Sequence, residues 1–259
     1  MKEIEYKIVE GEGIFNGSLY VFEKLSSTNE WARENIDLLK HGDIIWTKNQ
    51  IAGIGRMSRR WITFEERCLT FSVLIKTFER LELNHLMVQV AAMSVRECLD
   101  DFGINGELKW PNDVLINGKK IAGILGSVDL NKRKIVLGIG INVNMDKEHL
   151  MKLNIDRPAT SMQVESGRTF NIEDLLKRMI KILEKDIKNL TYMDGSDIFR
   201  EWSNHDYLKG AVIQIDTAIE KVKGRYKGID DHGRLYMVDE KNRERIFWSG
   251  DVDKVRNGS

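Results

Sequence analysis

The sequence predicts an α+β protein, with strands and helices mixed over residues 1–206 and a small all-β domain over residues 207–259. Three observations carry this. Apolar residues recur at helical spacing in the segments 27–41, 84–102 and 172–190. Four strand-like runs from Glu107 to Asn144 form a meander, and Asn117-Gly118 between its second and third runs is the strongest short hairpin signal. After residue 206 the pattern changes to four short strands, AVIQIDT, KVKGRYKGI, RLYMVD and RIFW, separated by turns such as Asp231-His232-Gly233.

Residues 4–22 read as short strands broken by glycines. Ser27 stands three residues before Glu30, a capping-box spacing, and Ala32, Ile36 and Leu39 then share a helical face. Lys40 and His41 suit the negative end of that helix and Gly42 can close it. DIIWTK (43–48) is a buried strand, 49–61 a loop rich in glycine and arginine, and CLTFSVLIK (68–76) another strand. The helix at 84–102 is carried by Leu86, Val90, Met93 and Val95 and stopped by Gly103. The meander comprises 107–110, 114–116, 120–130 and 134–144. Asn171 caps the amphipathic helix 172–190, and a shorter helix follows near 196–204. About fifty residues is near the lower limit for an independent domain, so the C-terminal β segment is expected to pack on the main one.

Composition narrows the function. A hydrophobic content of 42% supports a real core. Forty basic and forty acidic residues cancel, which argues against nucleic acid or an anionic membrane as the main partner. The opening MKEIEYKIVEGEG has no signal-peptide core, and no run approaches the roughly 18 apolar residues that span a bilayer. Cys68 and Cys98 sit in apolar surroundings as core residues. The expected setting is cytoplasmic.

Four stretches could carry chemistry. In Gln50–Trp61, Gly53 and Gly55 allow close backbone approach, and Arg56, Arg59 and Arg60 offer forks that match carboxylates and phosphates. Alone, this also fits a surface loop with solvated arginines. KWPNDV (109–114) puts Lys109 and Trp110 on opposite faces of a strand that ends in a stiff turn. Alone, it also fits a solvated lysine, a core tryptophan and a plain turn. GIGINVN (138–144) lacks the third glycine and following helix of a dinucleotide fingerprint, yet two strand glycines mark a bulge or close ligand approach. Ser26-Ser27-Thr28-Asn29 fits a helix N-cap, and its donors also suit a small neutral group such as a urea.

Order and spacing decide between these readings. SSTNEWA, Q-x-A-G-x-G-R-x-x-R-x-W, KWPNDV…GKKIAGIL, GIGINVN and Ala159-Thr160-Ser161-Met162 succeed one another over nearly the whole chain. The set resembles the biotin–protein ligases, and KWPND followed by K-x-A-G-I-L is very specific to that family. The resemblance implies a catalytic domain related to class II aminoacyl-tRNA synthetases and a C-terminal barrel of Src-homology-3-like type. It implies ATP and biotin as substrates, with Mg2+ on the phosphates. The implied partner is the biotin carboxyl carrier domain of a carboxylase, with no nucleic acid and no membrane. Family members include monomers and homodimers, and an exposed edge strand of the meander could pair two copies. Residues before Ser26 read as strands, so the monofunctional form, without a DNA-binding domain, is expected.

The resemblance also assigns residues. Lys109 and Arg56 are the expected catalytic cations and lie between biotin and nucleotide. Ser27, Thr28, Asn29 and Gln50 should meet the biotin rings, with Gly53, Ile54 and Gly55 closing over them. Arg59, Trp61, Asn112 and Asn142 should join Lys109 and Arg56 around the adenylate. Asp113 is the candidate base for the transfer step, with positioning alone as the alternative. Two departures stand out. The family's loop usually reads G-R-G-R-R-G-R-x-W, but Ile54, Met57 and Ser58 replace Arg, Arg and Gly here. A C-terminal arginine common in the family falls on Val255, with Arg256 beside it. Two rivals are a lipoate-type acyl ligase, disfavoured by KWPND, and a non-catalytic biotin sensor, disfavoured by the retained Lys109, Arg56 and Asn142.

Overall fold

An eight-stranded mixed sheet organises the larger part of the chain. The computed structural model describes residues 6–80, 82–153, 157–190, 192 and 195–255; Arg256 lies outside them. β1 (Lys7–Val9) and β2 (Leu19–Leu25) precede α1 (Thr28–Glu34) and β3 (Ile44–Gln50). A small hairpin of β4 (Gly53–Ile54) and β5 (Arg60–Trp61) leads to β6 (Cys68–Lys76) and α2 (Glu82–Asp100). The meander is β7 (Glu107–Lys109), β8 (Asp113–Ile116), β9 (Lys119–Asp129) and β10 (Lys134–Asn142). Then come α3 (Lys147–Lys152), α4 (Met162–Ser166), α5 (Ile172–Leu190) and α6 (Gly195–Asn204). The last strands are β11 (Val212–Asp216), β12 (Lys221–Ile229), β13 (Leu235–Asp239), β14 (Glu244–Phe247) and β15 (Asp251–Lys254).

The large sheet runs β1-β2-β3-β6-β10-β9-β8-β7, and its β2–β3 pair is parallel while β3–β6 and the meander are antiparallel. Side-chain alternation gives the two faces different work. Trp46, Phe71, Ile139 and Ile124 stand in one cross-strand row and join the main core, against which α2 and α5 pack. The opposite face carries α1 over a smaller cluster of Phe22, Leu25, Ala32, Ile45, Leu74 and Val136. Apolar burial of this kind stabilises by about 25 cal/mol per Å². Cys68 and Cys98 are free and buried, and burial pushes both thiols up to about 12.

The C-terminal strands form an antiparallel sheet, β14-β13-β12-β11-β15. Its Ile213, Ile215, Tyr226, Leu235 and Met237 belong to the same apolar cluster as the main core. Two polar links reinforce the junction: Trp110 Nε1 donates to Gly233 O (2.9 Å) and Tyr226 OH to Asp206 Oδ2 (2.6 Å). The meander's outer strand β7 is covered by the chain itself, because Leu108 N–H donates to His205 O and Tyr207 N–H to Leu108 O.

Some expectations are corrected. The helix expected over 27–41 ends at Glu34, where Asn35 takes the C-cap and donates its amide to Trp31 O. Ile36 and Leu39 are buried all the same. Asp43 accepts from Lys40 N and Ser18 N, both at 2.8 Å, so a carboxylate replaces the last helical turn. The C-terminal sheet has five strands rather than four; β15, with the single apolar residue Val252, is fixed by pairing with β11. Helices α3 and α4 have six and five residues, too few to show a period, and Asp146 and Ser161 cap them.

Candidate functional site

The face of the sheet that carries α1 holds small and polar residues in register. Thr47, Thr70, Gly140, Gly123, Asp113 and Lys109 pair in turn, one from each of six adjacent strands. The next row is Ile45, Ser72, Gly138 and Leu125. Side chains are therefore missing where the sheet would otherwise be filled, which leaves a trough that Asn29 and Trp61 occupy. Its floor is closely covered. A Cβ on Gly138 would come within 3.0 Å of Asn29 Nδ2, and one on Gly140 within 2.5 Å of the Trp61 indole.

One end of the trough is a neutral donor cluster. Ser27 caps α1 by accepting from Glu30 N–H. The turn then delivers Thr28 and Asn29, both buried. Thr28 N–H donates to Gln50 Oε1 (2.9 Å), and the Thr28 and Ser72 hydroxyls lie 2.9 Å apart. Asn29 Nδ2 is buried with no hydrogen-bond partner among the described residues. Orphaned buried amides are costly, and a ligand acceptor would satisfy this one.

The other end is cationic. Lys109 is 8% exposed and reaches Asp253 Oδ1 at 3.2 Å. Burial lowers its pKa, and Arg157 lowers it further, against the attraction of Asp253. Arg56 donates to Asn112 Oδ1 (3.2 Å) and to Gly250 O, and burial lowers its pKa too. Asn112 donates to Ile124 O (2.8 Å), so it ties the KWPND corner to both the sheet and the arginine loop. Lys120 Nζ stands 2.5 Å from Asp113 Oδ1 and 5.5 Å from the Trp61 ring. Trp61 lies between the two ends, on the glycine floor.

Most expected site residues thus converge: Thr28, Asn29 and Gln50 at one end, Arg56, Lys109 and Asn112 at the other, with Trp61 between. Gly53 and Gly55 hold the hairpin that carries Arg56; Gly53 pairs with Trp61 and Gly55 N–H donates to Arg59 O. The Ile54 side chain is exposed, and its strand position pairs with Arg60. Arg59 forms a two-pronged pair with Asp251 of the C-terminal sheet, a carboxylate that Arg157 also approaches. Asn142 is buried and donates to Thr160 O (2.9 Å). Sequence reasoning missed Ser72, Lys120, Arg157, Asp251 and Asp253. Alternation in CLTFSVLIK, where Thr70 and Ser72 interrupt an apolar strand, could have exposed Ser72. Nothing local marks Arg157.

A family model described as the biotin/lipoate A/B protein ligase family matches residues 21–146. Biotin–protein ligase 2 of Arabidopsis thaliana is 30% identical over 246 residues, covering 87% of this chain and 74% of its own. The chain belongs to the biotin–protein ligase family. The biotin–[acetyl-CoA-carboxylase] ligase of Paracoccus denitrificans, another family member, is 26% identical and covered over 95% of its length. The fold agrees with that of the Aquifex aeolicus biotin protein ligase solved with biotin and ATP: TM-score 0.76, 24% identity, 92% of this chain and 99% of that one.

Proposed function

We infer that this protein is an ATP-dependent biotin–protein ligase. It joins biotin to AMP and passes the biotinyl group to a lysine of a biotin carboxyl carrier protein. One observation carries the reading most: a single trough joins a neutral donor cluster to buried cations, as a neutral ring system with a carboxylate tail requires.

A carboxylate is a poor acyl donor because oxide would have to leave. In the first step a biotin carboxylate oxygen attacks the α-phosphorus of ATP, the bond to the β-phosphate oxygen breaks, and pyrophosphate leaves. Negative charge accumulates where two anions meet, and fixed cations offset it. Lys109 and Arg56 take that place in our reading, with Arg59 and Lys120 near by. Thr28, Asn29, Gln50 and Ser72 hold the biotin rings, and Trp61 and Asn142 bound the adenine. In the second step the neutral lysine amine of the carrier attacks the mixed anhydride at the carbonyl carbon, AMP leaves, and the amine proton is lost. Asp113 pairs with Lys109 on the neighbouring strand and is the candidate base, with Lys120 Nζ 2.5 Å from its Oδ1.

Among the described residues no group of three or more His, Cys, Asp or Glu could hold a metal. Magnesium therefore fits as a companion of the nucleotide, held by its phosphates and at most one or two carboxylates, where it would neutralise phosphate charge. The five short C-terminal strands support reading that sheet as a small Src-homology-3-like barrel, with 207–259 as its domain.

The deciding experiment is exchange of labelled pyrophosphate into ATP with biotin, lipoate or octanoate. Exchange with biotin alone is expected. Exchange with lipoate instead would move the protein to the sister activity, and binding of biotin without exchange would make it a sensor.

A further inference from the structure

The last strand of the C-terminal sheet, β15, presents two carboxylates to the cationic end of the trough. Asp253 takes Lys109 Nζ on one oxygen (3.2 Å) and Arg157 Nη2 on the other (3.0 Å). Asp251 takes the Arg59 fork, and Arg157 Nη1 lies 3.6 Å from its Oδ1. Arg157 is thus one carboxylate away from Lys109 and one from Arg59. The chain immediately after it is tied to β9: Lys120 N–H donates to Pro158 O and Thr160 N–H to Lys120 O, both at 2.9 Å. An arginine two residues before Ala159, which bridges to Lys120, and aimed at the same carboxylate as Lys109, is not an incidental surface charge.

We propose that Arg157 binds the β- and γ-phosphates of ATP, and the pyrophosphate they become, in the space that Asp253 now fills. The inference rests on the ligase reading above. Asp253 is 63% exposed in its side chain, so its pairs are weak and a polyphosphate can replace it. The guanidinium fork suits two phosphate oxygens. Arg157 also supplies a cation where this chain lacks others: the loop has Ile54 and Met57 at two positions, and Val255 stands at a third near β15.

The test measures the two half-reactions of Arg157→Ala, Arg157→Lys and Asp253→Asn. Arg157→Ala is expected to lower kcat/KM for ATP in biotin-dependent pyrophosphate exchange by about 10–100-fold. It should leave KM for biotin and transfer from preformed biotinyl-AMP unchanged, because pyrophosphate is absent from the second step. Arg157→Lys should recover part of the loss, and Asp253→Asn should not raise KM for ATP. Three results would overturn the proposal: unchanged ATP kinetics in Arg157→Ala, an equal loss in the transfer step, or the same defect in Asp253→Asn, which would reduce Arg157 to a partner of that carboxylate. Absence of exchange in the unaltered protein would instead overturn the ligase reading, and this one with it.

Discussion

Lys109 combines burial with charge, and both should be measurable. Lys109→Ala is expected to lower biotin-dependent exchange by at least about 100-fold. Circular dichroism and the thermal midpoint should be kept, because burial opposes the charged form that is removed. The folded protein holds this proton less tightly than the unfolded chain, so the charge costs stability at neutral pH and the cost fades as pH rises. Activity runs the other way. It needs the protonated form, so kcat/KM for ATP should fall with rising pH starting below the ordinary 10.5, and Lys109→Arg should move that limb upward. Gly140 makes a second case at this scale. A methyl group there meets the Trp61 indole at 2.5 Å, so Gly140→Ala should displace the indole and raise KM for ATP several-fold more than KM for biotin.

Elements carry the site through register. Most strands, though neither β15 nor the β4–β5 hairpin, were legible from alternation, and α2 and α5 from their periods, because apolar faces large enough to bury must repeat. Local chemistry could not reveal where strands pair. The row from Thr47 to Lys109 joins residues from six strands, and no stretch of sequence displays it. Family motifs named the chemistry at Lys109, Arg56 and Asn29, but Ser72, Arg157 and Asp253 required the fold. The shortened α1 shows the same limit, since helical period and a distant carboxylate competed for one segment and Asp43 won. Asp43→Ala should therefore cost about 1–3 kcal/mol in urea unfolding by orphaning two backbone donors. It should leave KM for biotin near its original value, because Asp43 lies outside the trough.

At the scale of the whole molecule, the C-terminal sheet is part of both the core and the site. Its inner face shares the main apolar cluster, Gly233 O receives Trp110, and Gly250 O receives Arg56. A chain ending at residue 206 should be aggregation-prone or loosely folded, and should lack exchange activity, which light scattering and the exchange assay would report. A stable, active fragment would show that the sheet is an accessory.

The carboxylates of β15 also bear on how this protein responds to ionic strength. A cationic pocket in solution normally gathers mobile anions, and a charged ligand must displace them, so its affinity falls as salt rises. Here Asp251 and Asp253 are counterions that cannot diffuse away. A nucleotide that exchanges with them sets few chloride ions free. Between about 50 and 300 mM NaCl, KM for ATP should vary little in the unaltered protein and more steeply once both carboxylates are replaced by asparagine. The last strand would then make nucleotide binding tolerant of the medium as well as complete the trough.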